Sequence, residues 1–186
     1  MHHSRVMHRV RACLLRVRGQ TARAGACLLS LAVAFPAGAA EPPIPLCPQP
    51  ETTFFACPLR GGGGLQLCVG AEAASPDQPV VLRELAPDGS VQSRVGEGLP
   101  PGKVYRANFL TTGALSLAHL RFEADGVEHV LIVGEDQTQG LAGLARATAP
   151  GVYSWRMCEE GWQSRLDYRF YAEARIPADP QSAPLP

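Results

Sequence analysis

The sequence predicts an all-β domain: an antiparallel meander of about eight short strands, closed as a small barrel or packed as a sandwich, and stapled by disulfides. Three observations carry that reading. Short runs rich in β-branched and aromatic residues alternate polar and apolar positions at period two. Turns bearing Gly, Pro or Asp-Gly separate these runs at short intervals. Four cysteines, Cys47, Cys57, Cys68 and Cys158, follow a leader-like N-terminus, and an even count in an exported chain implies two bridges.

The leader is expected over residues 1–40. It holds six arginines and no acidic residue, then an apolar run from Ala26 to Phe35, then Pro36-Ala37-Gly38-Ala39-Ala40. A basic start, a short apolar run and a small-residue site describe a signal peptide cleaved after Ala39 or Ala40; translation from Met7 or later fits equally. The apolar run falls short of the roughly 20 residues of a membrane span, and no other stretch approaches that length. The remaining chain carries 11 basic and 17 acidic residues, so its charge is 11 − 17 = −6. An acidic surface argues against nucleic acid. It is compatible with a cationic partner, and it also serves solubility.

Residues 41–51 form a proline-rich arm (Pro42, Pro43, Pro45, Pro48, Pro50), expected to be extended and anchored through Cys47. The β-domain is expected over 52–175. It opens with Thr52–Gly70, TTFFACPLRGGGGLQLCVG, read as a hairpin looping at Gly61–Gly64. That register sets Arg60 opposite Leu65 and Cys57 opposite Cys68. It permits a Cys57–Cys68 bridge, or two bridges reaching to other elements. After a polar loop over 71–79, Val80–Leu85 and Val91–Val95 pair around Ala86-Pro87-Asp88-Gly89-Ser90. Gly96–Gly102 is a loop and Lys103–Thr111 a strand.

The third hairpin turns at Asp125-Gly126. Ala124 then opposes Val127, Phe122 His129, Leu120 Leu131 and Ala118 Val133, all on one largely apolar face. The other face pairs Glu123 with Glu128, Arg121 with Val130 and His119 with Ile132. A one-residue slip would turn the apolar set outward. Glu123 against Glu128 is unfavourable when exposed, and Arg121 offsets it. Gly134–Gly140 is a polar loop. Leu141–Thr148 is read as a strand rather than a helix, paired with Val152–Cys158 across Pro150-Gly151. Gln163–Ala174 is a strand or a short helix, and 176–186, with four prolines, is a loose, flexible tail.

No nucleophile elbow, phosphate loop or zinc motif is present. His119 and His129 fall on opposite faces and cannot share a metal, so neither metal nor cofactor is expected. Glu135-Asp136 and Glu159-Glu160 are acidic doublets in loops, read as solvated turns. Meeting in a cleft, they would be fit for acid–base work. Tyr153, Trp155, Trp162, Tyr168 and Tyr171 are read mainly as core residues rather than a binding patch.

The string FFACPLRGGGGLQLCVG resembles the opening of a family of small, uncharacterised periplasmic bacterial proteins. Cys158 matches the family's third cysteine, and Val104-Tyr105 with HLRFEADGVEHVLIVGE matches its middle. The likeness spans Thr52 to Cys158 and implies a periplasmic β-domain without an assigned activity. More distantly, Phe55-Ala56-Cys57 with Cys158 resembles the C-type lysozyme inhibitors, small periplasmic β-barrels. Their contact loop, Ser-Gly-x-x-Tyr, would correspond to Pro101-Gly102-Lys103-Val104-Tyr105, with Pro101 in place of the serine. That likeness implies a binding loop at Gly102, Lys103 and Tyr105. Family likeness implies a Cys57–Cys158 bridge, which leaves Cys47–Cys68. This set is preferred here because it closes a longer loop than Cys57–Cys68.

The functional expectation is a non-enzymatic, exported, periplasmic or secreted β-domain that binds a protein or envelope component. One alternative is an inhibitor of a C-type lysozyme. Another is a small hydrolase using Glu135, Asp136, Glu159 or Glu160.

Overall fold

The computed structural model describes residues 45–70, 75–113, 115–136 and 140–186. The expected signal peptide, the start of the arm and parts of three loops lie outside these residues. Among the described residues ten strands form two five-stranded antiparallel sheets. The first is ordered β10-β1-β2-β3-β4, with β1 Thr52–Pro58, β2 Gly64–Val69, β3 Val80–Leu85, β4 Val91–Val95 and β10 Gln163–Ser164. The second is ordered β5-β6-β7-β8-β9, with β5 Arg106–Thr111, β6 Leu115–Ala124, β7 Val127–Asp136, β8 Gly140–Ala149 and β9 Val152–Met157. The sheets do not close into a barrel, so of the two expected architectures the chain adopts the sandwich.

Alternation builds the core. Phe55, Cys57, Leu65, Leu67, Val69, Val80 and Leu82 point inward from one sheet, and Ala118, Leu120, Phe122, Leu131, Val133 and Leu144 from the other. Burying each large apolar side chain contributes about 1.5–3 kcal/mol. The β6–β7 hairpin has the expected register throughout, from Ala124 opposite Val127 to Ala118 opposite Val133. Its turn is set by Asp125 at φ 53° and Gly126 at φ 71°, the backbone a two-residue hairpin requires. Arg121 Nη1 donates to Glu128 Oε1 at 2.6 Å, relieving the Glu123–Glu128 opposition.

The first hairpin departs from its expected register. Cys57 opposes Leu65, Pro58 opposes Gly64 and Thr53 opposes Cys68, with an irregularity between Thr53 and Phe55. The loop closes earlier than expected, through Leu59 N–H donating to Gly63 O at 3.1 Å, so Gly64 becomes a strand residue. A Cβ on Gly64 would lie 2.7 Å from Pro45 Cγ, which packs there. Cys57 therefore faces the core, while Cys68 joins Gln66 on the outer face. The bridges are Cys47–Cys68 and Cys57–Cys158, spanning 21 and 101 residues.

Two further elements differ from expectation. Lys103–Thr111 is not one strand: Pro101–Val104 form a helical turn, α1, before β5 begins. Proline at the start of the turn has no N–H to lose and its φ already suits a helix. Gln163–Ala174 divides into β10 and a short helix, α2 Tyr168–Glu173, whose first turn is capped by Asp167 accepting from Phe170 N–H at 2.8 Å.

Both ends of the described chain act as straps. The arm crosses the outer face of the first sheet, where Gln66 Nε2 donates to Leu46 O at 2.8 Å and Arg83 pairs with Glu51. The tail crosses the second sheet and is not loose. Ala107 N–H donates to Pro177 O at 2.9 Å, Asp179 N–H donates to Ala107 O at 2.7 Å, and Asp179 is 3% exposed. Among the described residues no helix is long and apolar enough to cross a membrane.

Candidate functional site

The sheets meet along a seam. The chain leaves β9 in the second sheet, runs beside the end of β1 and finishes as β10 in the first. Arg60 N–H donates to Met157 O at 2.9 Å and Glu159 N–H donates to Pro58 O at 2.8 Å. The Cys57–Cys158 bridge lies at the same place, with Cα atoms 5.6 Å apart. Beside this seam is an open cleft of about 1220 Å³.

Three separate segments supply its chemistry: Arg60 from the glycine hairpin, Glu135 from the end of β7, and Glu159, Glu160 and Trp162 from the β9–β10 connection. Leu141 and Met157 contribute apolar lining. Gly140 makes room for the indole, since a Cβ there would sit 2.6 Å from Trp162 Cζ2. Glu135, Glu160 and Arg60 are exposed, and Glu159 and Trp162 half-buried. Glu135 of the first acidic doublet and both glutamates of the second thus line one cleft. Glu135 and Asp136 are the closing residues of β7 rather than part of a loop. Arg60 and Gly140 were missed by the sequence reading, and nothing local in the sequence marks either.

The binding-loop candidates do not form a contact surface. Lys103 is exposed, but Gly102 packs closely enough that a Cβ would lie 2.7 Å from Arg175 O. Tyr105 is fully buried. Its hydroxyl lies 2.9 Å from Val95 O and 3.1 Å from Val80 O, and accepts from Leu82 N–H at 3.3 Å. Burial pushes its ionisation well above the usual tyrosine range. The five aromatic candidates are likewise dispersed. Tyr171 fills the core, with its hydroxyl lacking a partner, and Trp162 lines the cleft. Tyr153 and Trp155 pack on a small outer cluster of Val130, Ile132 and Ala145, and Tyr168 is 67% exposed.

His129 is half-buried and stacks on Phe122, with ring centres 5.2 Å apart. His119, on the opposite face, is 3% exposed and belongs to a buried polar cluster. Asp179 Oδ2 accepts from His119 Nε2 at 2.8 Å and from Arg121 Nε at 2.7 Å. Arg121 also donates to Glu128 Oε1 and, at 3.0 Å, to Ser182 O, and the Tyr153 hydroxyl donates to Glu128. Burial pushes the Asp179 carboxyl up, but Arg121, the Gln181 amide and His119 together outweigh it and hold it below its usual range. Burial holds His119 below its usual value, against the pull of Asp179. The ionised carboxylate only accepts, so the neutral imidazole carries its proton on Nε2. Its centre, His119, Arg121 and Asp179, is buried, and the cluster acts as a latch for the tail. An outward-facing His119 and Arg121 two residues apart, awaiting a distant carboxylate, were its only sequence trace.

Among the described residues the one grouping of three ligand-type side chains is Cys47, Glu51 and Cys68, and its two sulfurs are joined to each other. No family model matches the chain, and comparison with curated proteins and with solved structures finds no match either. The likeness drawn above therefore rests on the quoted residues alone.

Proposed function

We propose that the protein is an exported, periplasmic binding module that is not an enzyme and takes a protein or envelope component in the seam cleft. The observation that carries this reading is the convergence of Arg60, Glu135, Glu159, Glu160 and Trp162 on a cleft braced by the Cys57–Cys158 bridge. A cross-linked, backbone-bonded floor holds side chains from distant segments in fixed relation, as recognition requires. Glu135 and Glu160 are exposed, and exposed carboxylates suit binding better than general acid catalysis, which favours a proton donor shielded from water. Two disulfides and the leader-like N-terminus support export.

A photo-crosslinking residue at position 160 tests it in the intact envelope. The reading expects a specific adduct from position 160 and none from position 91, on the far edge strand. Equal labelling from both positions, or none from either, would remove the cleft as the site.

The cleft also favours a second reading, a small hydrolase in which two of these carboxylates act as acid and base. Turnover of a glycoside or ester panel, abolished in a folded Glu159→Gln variant, would establish it; the binding reading expects no turnover. Lysozyme inhibition lacks its tyrosine contact because Tyr105 is buried, and undiminished cell-wall lysis is expected in its presence.

A further inference from the structure

We propose that the seam cleft takes a lysine- or arginine-bearing polypeptide segment with apolar residues between its cations; this rests on the reading that the cleft is the binding site. Charge complementarity points there first. Glu135, Glu159 and Glu160 line the cleft against the single guanidinium of Arg60. The chain beyond residue 40 carries 11 − 17 = −6, so the surrounding field favours the same sign of ligand.

The spacing of the carboxylates selects the kind of cation. Glu135, Glu159 and Glu160 do not all three converge on one point that a single ion could occupy. A cleft of about 1220 Å³ is also far larger than a metal site needs. Separated negative charges match separated positive charges on a chain. Leu141, Met157 and Trp162 add apolar surface to the same lining. An indole attracts ammonium and guanidinium groups through its ring quadrupole. A sugar would use the indole but would leave three carboxylates without counter-charge. A uniformly cationic polymer would leave the apolar lining unused. The alternating cationic and apolar segment satisfies both.

The test uses the full oxidised protein. Trp155 and Trp162 are its two tryptophans, so a Trp155→Phe background makes the emission report on Trp162. The probes are a peptide alternating Lys and Leu, the same peptide with Gln for Lys, and a chitin oligosaccharide. The proposal expects saturable change with the Lys peptide alone, weakening as salt screens the exposed pairs. Each Glu→Gln change is expected to weaken binding by about two- to fivefold, and Glu135→Gln, Glu159→Gln and Glu160→Gln together by about tenfold or more. Circular dichroism of the triple variant confirms that it is folded. Undiminished Lys-peptide binding by that variant overturns the proposal. Equal binding of the Gln peptide or the oligosaccharide overturns the ligand class but keeps the cleft. No binding by any probe, together with no adduct from position 160, overturns the class and the cleft.

Discussion

A fully buried hydroxyl is only as stable as its partners. Tyr105, between α1 and β5, reaches to backbone groups of β3 and β4 in the first sheet, so one side chain ties the start of the second sheet to the first at the edge away from the seam. Tyr105→Phe fills the same space but leaves Leu82 N–H and a carbonyl unpaired. The expected loss is about 1–3 kcal/mol, measured by urea unfolding. Asp179 is more consequential. Asp179→Asn removes the buried one of the two carboxylates that pair with Arg121, leaving Glu128, and is expected to cost about 2–4 kcal/mol. The same cluster makes stability fall with acid. Folding holds His119 below its ordinary 6.5, mainly by burial, so the unfolded chain binds that proton first. Its contribution is full above about pH 6.5 and is lost as the pH drops below it. Asp179 and Glu51 sit below their ordinary 3.8 and 4.5, Glu51 chiefly through its hydrogen bond to Arg83. A second loss therefore begins below about pH 4.5. Unfolding midpoints across pH 3–8 check both steps, and Asp179→Asn should flatten the curve at acid pH.

At the scale of elements, legibility followed the turn chemistry. The Asp125-Gly126 turn admits one register, and the alternation on both arms agrees with it. Four consecutive glycines admit several, because each accepts positive φ, and the choice among them was made by Leu59 N–H closing on Gly63 O and by Pro45 packing over Gly64. Proline content misled at the tail. A proline lacks a donor but keeps its carbonyl, and Pro177 O serves the edge of β5 as an acceptor. Gly140 shows an element shaped for the cleft. Gly140→Ala would drive a methyl group into the Trp162 indole. The expected cost is about 1–3 kcal/mol, with a shifted Trp162 emission that reads the displaced ring.

For the whole molecule, each disulfide has its own task. Cys57–Cys158 joins the two sheets across 101 residues, while Cys47–Cys68 pins the arm across 21. The chain-entropy relation gives about 4.7 kcal/mol for the long loop and about 3.3 for the short one. Paired Cys→Ala replacement of the long bridge should therefore lower stability more, and should also loosen the cleft. The all-β antiparallel class was readable from strand alternation, with barrel and sandwich both left open, and the site was only half readable. Glu135 and Glu159-Glu160 were recognisable as acidic loops. The β7–β8–β9 meander carries Glu135 and Glu159-Glu160 to the same end of the sheet. Arg60 joins them only because Leu59 bridges Cys158, a contact between segments about a hundred residues apart that no local pattern encodes.

Disulfide mapping of the non-reduced protein tests that seam most directly. Cleavage after Glu51 separates Cys47 from Cys57, and cleavage after Arg60 separates Cys57 from Cys68. The account predicts two linked peptide pairs, Cys57 with Cys158 and Cys47 with Cys68. A peptide joining Cys57 to Cys68 would contradict the seam and, with it, the cleft.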